Sequence, residues 1–255
     1  MNGDNKTEDK LNPLSTDFCA LDYPCAYLPE KKTRMYYKYV NRATKEFAQA
    51  VIERGWRRFG NFYFFPICNG CSECKSLRIC VSEYNYSKSQ RRVIRKNEDT
   101  HIVVKEPSIS TEHIRLYMKY HNWKSDKDGW NNKDITYKEY YENFVEGAYE
   151  FGKEVLYFRD NKLVGVDLID ILEDGISSIY FFYDPDYSKL SLGTFSLLYQ
   201  INLAKRYGLE YIYLGYWVEG CKAFAYKPKF KPQQLLDGFP SIYDKPNWKY
   251  WNYKE

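Results

Sequence analysis

Histidine is scarce in this chain, with only His101, His113 and His121 among 255 residues. No serine or cysteine triad can be drawn around them, so chemistry through an acyl-enzyme is not the first expectation. No apolar run reaches the ~18 residues that a membrane-spanning helix requires. The opening MNGDNKTEDK lacks the apolar centre of a secretory leader. Charge of one sign is not in large excess either: 38 Lys and Arg stand against 34 Asp and Glu, a net charge of +4. That falls short of a dedicated nucleic-acid coat but leaves room for a local basic stripe. Together these absences place the protein in the reducing cytosol, with no membrane partner. In that compartment its seven cysteines are expected as free thiols or metal ligands, not disulfides.

Aromatic residues are what the chain has in abundance, at 19% with 27 tyrosines. They serve as core filling or as stacking platforms for bases, and composition favours the core. Residues 1–17 are polar and read as a disordered tail. From 18 to about 105 the chain is cysteine-rich and basic, and from 106 to 255 its character is that of a second, transferase-like part. The periodicity predicts a helix over Ala43 to Arg54, stopped by Gly55, and a strand over Asn61 to Pro66. Ser110 or Thr111 caps a helix to about His121; residues 122–135 are rich in turn formers and read as a loop. Thr136 and Glu139 form a capping box for a helix to about Val145. Three strands follow, Val155 to Arg159, Leu163 to Leu172 and Ile176 to Tyr183. A helix from Thr194 to Tyr207 ends at Gly208, and a last strong strand covers Tyr211 to Val218. This order predicts an α+β fold in which a helix covers a mixed sheet.

Two clusters carry chemistry by spacing alone. Cys68, Cys71 and Cys74, with Cys80 six residues on and Cys25 as a fourth partner, have the spacing of zinc or iron–sulfur ligands; buried free thiols are the other reading. Lys88, Arg91, Arg92, Arg95 and Lys96 put five cations in a short stretch without an acid among them, which suits a phosphate backbone or a solvated helix face.

Three ordered stretches resemble the aminoacyl-tRNA–protein transferase family. They are Gly55-Trp56-Arg57-Arg58-Phe59-Gly60 with Ser87 to Arg92; Tyr183-Asp184-Pro185-Asp186-Tyr187 running into Ser191 to Thr194; and Tyr213-Leu214-Gly215-Tyr216-Trp217 with Cys221, Tyr226-Lys227 and Phe230-Lys231-Pro232. With Cys25 to Pro29 they cover roughly residues 19–236. The short bacterial form, the aspartate/glutamate leucyltransferases, is most similar, and longer eukaryotic arginyltransferases are related. The resemblance implies an acetyltransferase-like (GNAT-related) C-terminal half and leucyl-tRNA as donor. It also implies acceptor proteins beginning with Asp or Glu, marked in this way for degradation by the N-degron pathway. Eukaryotic relatives carry an early Cys-x2-Cys and a later Cys-Cys; here Leu28 and Ser72 break those pairs, so a metal site is not inherited residue by residue.

Such a reaction needs no ATP and no cofactor, because the ester is already activated. Positioning an amine against it can supply on the order of 7–11 kcal/mol of the barrier. What remains is a proton acceptor and an oxyanion site. Asp184, Asp186 and Tyr183 at a strand end, or Glu219 past the last strong strand, are candidate bases, though Asp-Pro-Asp is also an ordinary turn. Arg57, Arg58, Arg78, Lys227 and Lys229 are candidates to hold the acceptor's carboxylate. Ser191, Gly193 and Thr194, at a helix start, are candidates for the tRNA terminus beside the cationic block. Cys221 is expected to pack or line the pocket. Competing readings are an arginyl-tRNA transferase, an acyl-coenzyme A acetyltransferase and a non-enzymatic, metal-stabilised RNA-binding protein. Against coenzyme A, Leu190 to Phe195 lacks the Arg/Gln and second Gly of the usual loop.

Overall fold

A computed structural model describes residues 11, 13–130 and 134–253. The chain opens with a small antiparallel sheet ordered β1 (Ser15–Cys19), β4 (Met35–Val40), β6 (Phe62–Pro66) and β5 (Arg57–Phe59). A two-stranded ribbon, β2 (Tyr23–Pro24) with β3 (Lys32–Thr33), precedes β4. β1 takes in residues 15–17, which composition assigns to the polar tail, because Thr16, Asp17 and Phe18 find a ladder partner in β4. Helix α1 (Lys45–Ile52), capped by Thr44, buries Phe47 and Val51 against Tyr63 on one face of this sheet. Alternation along β5 and β6 leaves Arg57, Phe59 and Phe64 on the opposite face.

The remaining strands are β7 (Lys75–Cys80), β8 (His101–Lys105), β9 (Gly152–Arg159), β10 (Lys162–Ile171), β11 (Gly175–Tyr183), β12 (Tyr211–Trp217), β13 (Gln233–Leu236) and β14 (Trp248–Trp251). They build one eight-stranded mixed sheet, in the order β14-β13-β7-β12-β11-β10-β9-β8. Its pairs are antiparallel except β11–β12. β10 is buried almost throughout, which is why its sequence reads as an apolar run and not as an alternation. The segment 75–105 therefore supplies two strands to the same sheet as residues 152–251.

Helices cover both faces. Helices α2 (Lys88–Lys96) and α5 (Leu192–Tyr207) lie on one, where Leu198, Ile201 and Ala204 meet Ile79, Val164, Ile176 and Ile212. Helix α3 (Thr111–Asp128) covers the other, with Ile114 and Tyr117 against Val166 and Phe182. Ser110 caps α3 as predicted, but the helix runs past His121 to Asp128. Packing overrides the turn-forming composition: Trp123 stacks near Tyr120 and Tyr183, Lys124 pairs with Asp128, and left-handed Gly129 ends the helix. The predicted loop is thus helical over 122–128, and its residues 131–133 lie outside the described ones. The Thr136–Glu139 capping box forms and opens α4 (Tyr137–Tyr140), which continues as one wide turn to Val145.

Candidate functional site

β11 and β12 pair only at Gly175–Ser177 with Tyr211–Tyr213. Beyond that point they part, and a cavity of about 640 Å³ opens between Ser178–Tyr183 on one side and Leu214 and Tyr216 on the other. The start of α5 (Ser191, Gly193 and Thr194) forms part of its rim, and Trp130 and Lys124 from the end of α3 form another. Tyr27, Phe59, Phe64 and Tyr226 make the wall strongly aromatic.

Two basic side chains in this wall, Arg57 from β5 and Lys227 from beyond β12, donate to the parted strands' own backbone. Arg57 donates from Nη2 to the Ser178 carbonyl and from Nη1 to Ser177 Oγ at 3.4 Å. Lys227, 4% exposed, donates from Nζ to Leu214 O at 2.8 Å and to Tyr216 O. Neither makes an ion pair among the described residues. Burial, then repulsion from Arg57, pushes the Lys227 ammonium well below its ordinary range; burial also lowers the Arg57 guanidinium, against the pull of Tyr216 and Asp170. Gly215 explains how Arg57 reaches its place. It sits at φ +68° where the β12–β7 register shifts, and a Cβ there would lie 2.6 Å from Arg57 Nε.

Beside the cavity lies a buried acid that the sequence reading did not single out. Asp167 on β10 accepts a 2.8 Å hydrogen bond from Gln200 Nε2 on α5, and the same nitrogen approaches Ser178 Oγ at 3.2 Å. Burial raises the Asp167 carboxyl; Gln200 and Tyr157 oppose this only in part, leaving it at about 7. Its signal was an acid inside the apolar run Leu163 to Ile169, matched by an amide inside Leu197 to Ile201.

The other expected bases and cations, Tyr183 apart, lie outside the cavity wall. Tyr183 lines the cavity and stacks on Phe181. Asp184, 1% exposed, is held by Lys119 at 2.5 Å and Lys162 at 2.7 Å and caps the turn at Asp186 N. Burial works to raise its carboxyl, yet these two ammonium groups keep it below the ordinary range. Asp186 shares Lys119 at 2.6 Å, and Glu219 is exposed beyond β12. Arg58 points away from Arg57 and grips Asp170 through two bonds of 3.0 and 2.5 Å. Arg78 donates to Gln234 and stacks 3.5 Å from the Tyr211 ring centre. Lys229 lines a separate hollow with Lys231 beside the start of α2.

All five cations of α2 are exposed, without an ion pair among the described residues. The Ser87–Gln90 capping box starts this helix, and its end is tied to the turn before α5 by Asn97 Nδ2 to Leu190 O at 2.9 Å. The basic helix and the rim at Ser191 are therefore near neighbours. Cys25, Cys68, Cys71 and Cys74 line one hollow of about 120 Å³. Burial and the neighbouring thiols push Cys74 up to about 12. Among the described residues, no group of three or more Cys, His, Asp or Glu is arranged to hold a metal ion. Cys80 is buried in β7, and Cys221 lies partly buried just beyond β12.

Comparison with known proteins adds two family models, both over long stretches. "Arginine-tRNA-protein transferase, N terminus" matches residues 23–92, and its C-terminus counterpart matches 112–237. An aspartate/glutamate leucyltransferase of Campylobacter jejuni is 49% identical over 91% of this chain and 97% of its own. Another from Helicobacter hepaticus is 39% identical over 89% and 95%, and one from Hahella chejuensis is 32% identical over 84% and 91%. Among solved structures, FemX aligns over 83% of this chain and 82% of its own at 8% identity and TM-score 0.46, a distant likeness.

Proposed function

This chain belongs to the arginine-tRNA–protein transferase family, and we infer from that membership that it transfers leucine from leucyl-tRNA to the N-terminal Asp or Glu of acceptor proteins, marking them for degradation. The observation that carries the inference is the 49% identity to a protein named for this activity, spanning nearly the whole of both chains. The acceptor's α-amine attacks the ester carbonyl of the leucyl group. A C–N bond forms, the C–O bond to the terminal ribose breaks, and the proton lost by the amine is returned to the ribose oxygen. No outside energy source enters.

The cavity supports this reading. Among the described residues, Arg57 and Lys227 are basic groups without a carboxylate partner in an aromatic enclosure, and an acidic side chain brought in from outside would restore the charge that burial takes from Lys227. The basic helix α2, tied to the turn before α5, suits the tRNA backbone, with its terminal nucleotide reaching the rim at Ser191, Gly193 and Thr194. We assign acceptor recognition to Arg57 and Lys227. Arg58, Arg78 and Lys229 receive no such role, because their donors are used elsewhere or lie outside the cavity. The parted parallel pair flanked by α5 is taken as the acetyltransferase-like element of the fold. Residues 18–105 and 106–255 are best read as a division of tasks, since both contribute strands to one sheet.

The test is direct. Labelled Leu-tRNA or Arg-tRNA is incubated with the protein and peptides beginning with Asp, Glu, Arg or Lys. Label from Leu-tRNA on the Asp and Glu peptides alone is expected. Label from Arg-tRNA would make it an arginyltransferase, and no label on any peptide would overturn the transfer reading.

A further inference from the structure

A buried polar atom without a partner is costly, so one at the wall of a cavity asks for a cause. Gln200 Oε1 is such an atom beside the central cavity; Asp167 Oδ1 and the Tyr157 hydroxyl, close enough to shift each other's proton affinity, make no well-aligned bond either. Gln200 is 1% exposed and forms part of the cavity wall. Its amide nitrogen is committed to Asp167 Oδ2 and Ser178 Oγ. Once ionised, Asp167 can only accept, which fixes the amide with nitrogen inward and leaves Oε1 as a bare acceptor. An acceptor backed by a carboxylate complements a cationic N–H donor and repels phosphate or carboxylate.

The reaction brings two such donors, the amino group of the esterified leucine and that of the acceptor protein. Ser178 decides between them. Its carbonyl receives Arg57 and its hydroxyl faces Gln200, so the group that suits an acidic side chain and the group that suits an amine share one anchor. N-terminal Asp and Glu carry a carboxylate and an α-amine on a single residue.

We propose that Gln200 Oε1 accepts a hydrogen bond from the α-amino group of the acceptor protein, with Asp167 as the positioning residue that sets the amide in that sense. This rests on the transfer reading above and extends it. It makes the site read two features of the acceptor at once: the acidic side chain through Arg57 and the free amine through Gln200.

The experiment compares two peptides in the full-length protein: one beginning with Asp, and one in which a succinyl group replaces that Asp, keeping the carboxylate and removing the α-amine. Binding is measured by calorimetry without tRNA, and transfer is measured with Leu-tRNA. Wild type should bind the Asp peptide roughly 10- to 100-fold more tightly, the worth of one hydrogen bond to a charged group. Gln200→Met keeps the side chain's bulk and should erase that preference. The succinyl peptide's affinity and the KM for Leu-tRNA should stay within about twofold. Asp167→Asn lets the amide turn over and should shrink the preference although Gln200 is present. A merely structural role would weaken both peptides alike. Equal losses for the two peptides, an unchanged preference in Gln200→Met, or a change confined to the KM for Leu-tRNA would overturn the assignment. A wild type that labels no Asp or Glu peptide would instead overturn the transfer reading. Should Gln200→Met fail to fold, Gln200→Leu, which also removes the acceptor, reads the same ratio.

Discussion

Arg57 and Arg58 leave β5 on opposite faces, and the fold uses them in unlike ways. Arg58 meets Asp170 and the carbonyls of Gly60 and Gly147 at 2.8 and 3.0 Å, which uses up its fork. Arg58→Ala leaves Asp170 buried and unpaired; a stability loss of about 3–5 kcal/mol is expected by denaturant unfolding. Arg57→Gln should leave stability nearly unchanged and raise the KM for Asp peptides at least about tenfold, with little change for Leu-tRNA. In sequence both are equal candidates for the acceptor's carboxylate, and two adjacent arginines do not say which one turns to the core. Asp167 carries a pH signature of its own. Its carboxyl is raised from 3.8 to about 7, so between those values the folded state holds a proton there that the unfolded chain releases, and above them it is the carboxylate that orients Gln200. Its contribution to stability is whole below pH 4 and is lost as pH rises through 7. Asp167→Asn removes that slope, and melting temperatures of variant and wild type should converge at low pH and separate in the variant's favour above 7. A constant offset across the range would show that the carboxyl titrates normally.

At the scale of elements, most boundaries were legible, and the exceptions have physical causes. Ser110 and Thr136 cap where their side chains announced it, while Thr44 caps a helix that the periodicity starts at Ala43. The extension of α3 was not legible, because Trp123 and Lys124 are held by rings and charges that come from elsewhere in the chain. Asp184 reads as a catalytic turn in sequence; two lysines, one on α3 and one at the start of β10, give it a place in the packing instead. The basic helix α2 is tested as a unit. Each of Arg91→Ala and Arg92→Ala should flatten the slope of log affinity for Leu-tRNA against log salt by about 0.7–0.9, with the helix itself intact. β12 offers a test without touching a charge. Gly215→Ala forces a side chain onto Arg57 at a left-handed position, and should depress transfer to Asp peptides more than it weakens Leu-tRNA binding.

For the whole molecule, a mixed sheet covered by a helix followed from element order, but its breadth and its second helical layer did not. Nothing local says that β7 slots between β12 and β13, since that pairing joins residues more than a hundred positions apart. The chemistry asks for no metal, so chelator treatment should leave the transfer rate within about twofold, measured on protein whose zinc and iron have been assayed. The parting of β11 from β12 bears on how this protein can be improved. Lacing the two strands further together would add ladder bonds and raise the melting point, yet each added rung would take carbonyls now engaged by Arg57 and Lys227 and close the room between them. Selection for robustness and selection for turnover therefore pull on the same seam in opposite directions. Thermostabilised descendants that stay active should gain their stability away from it.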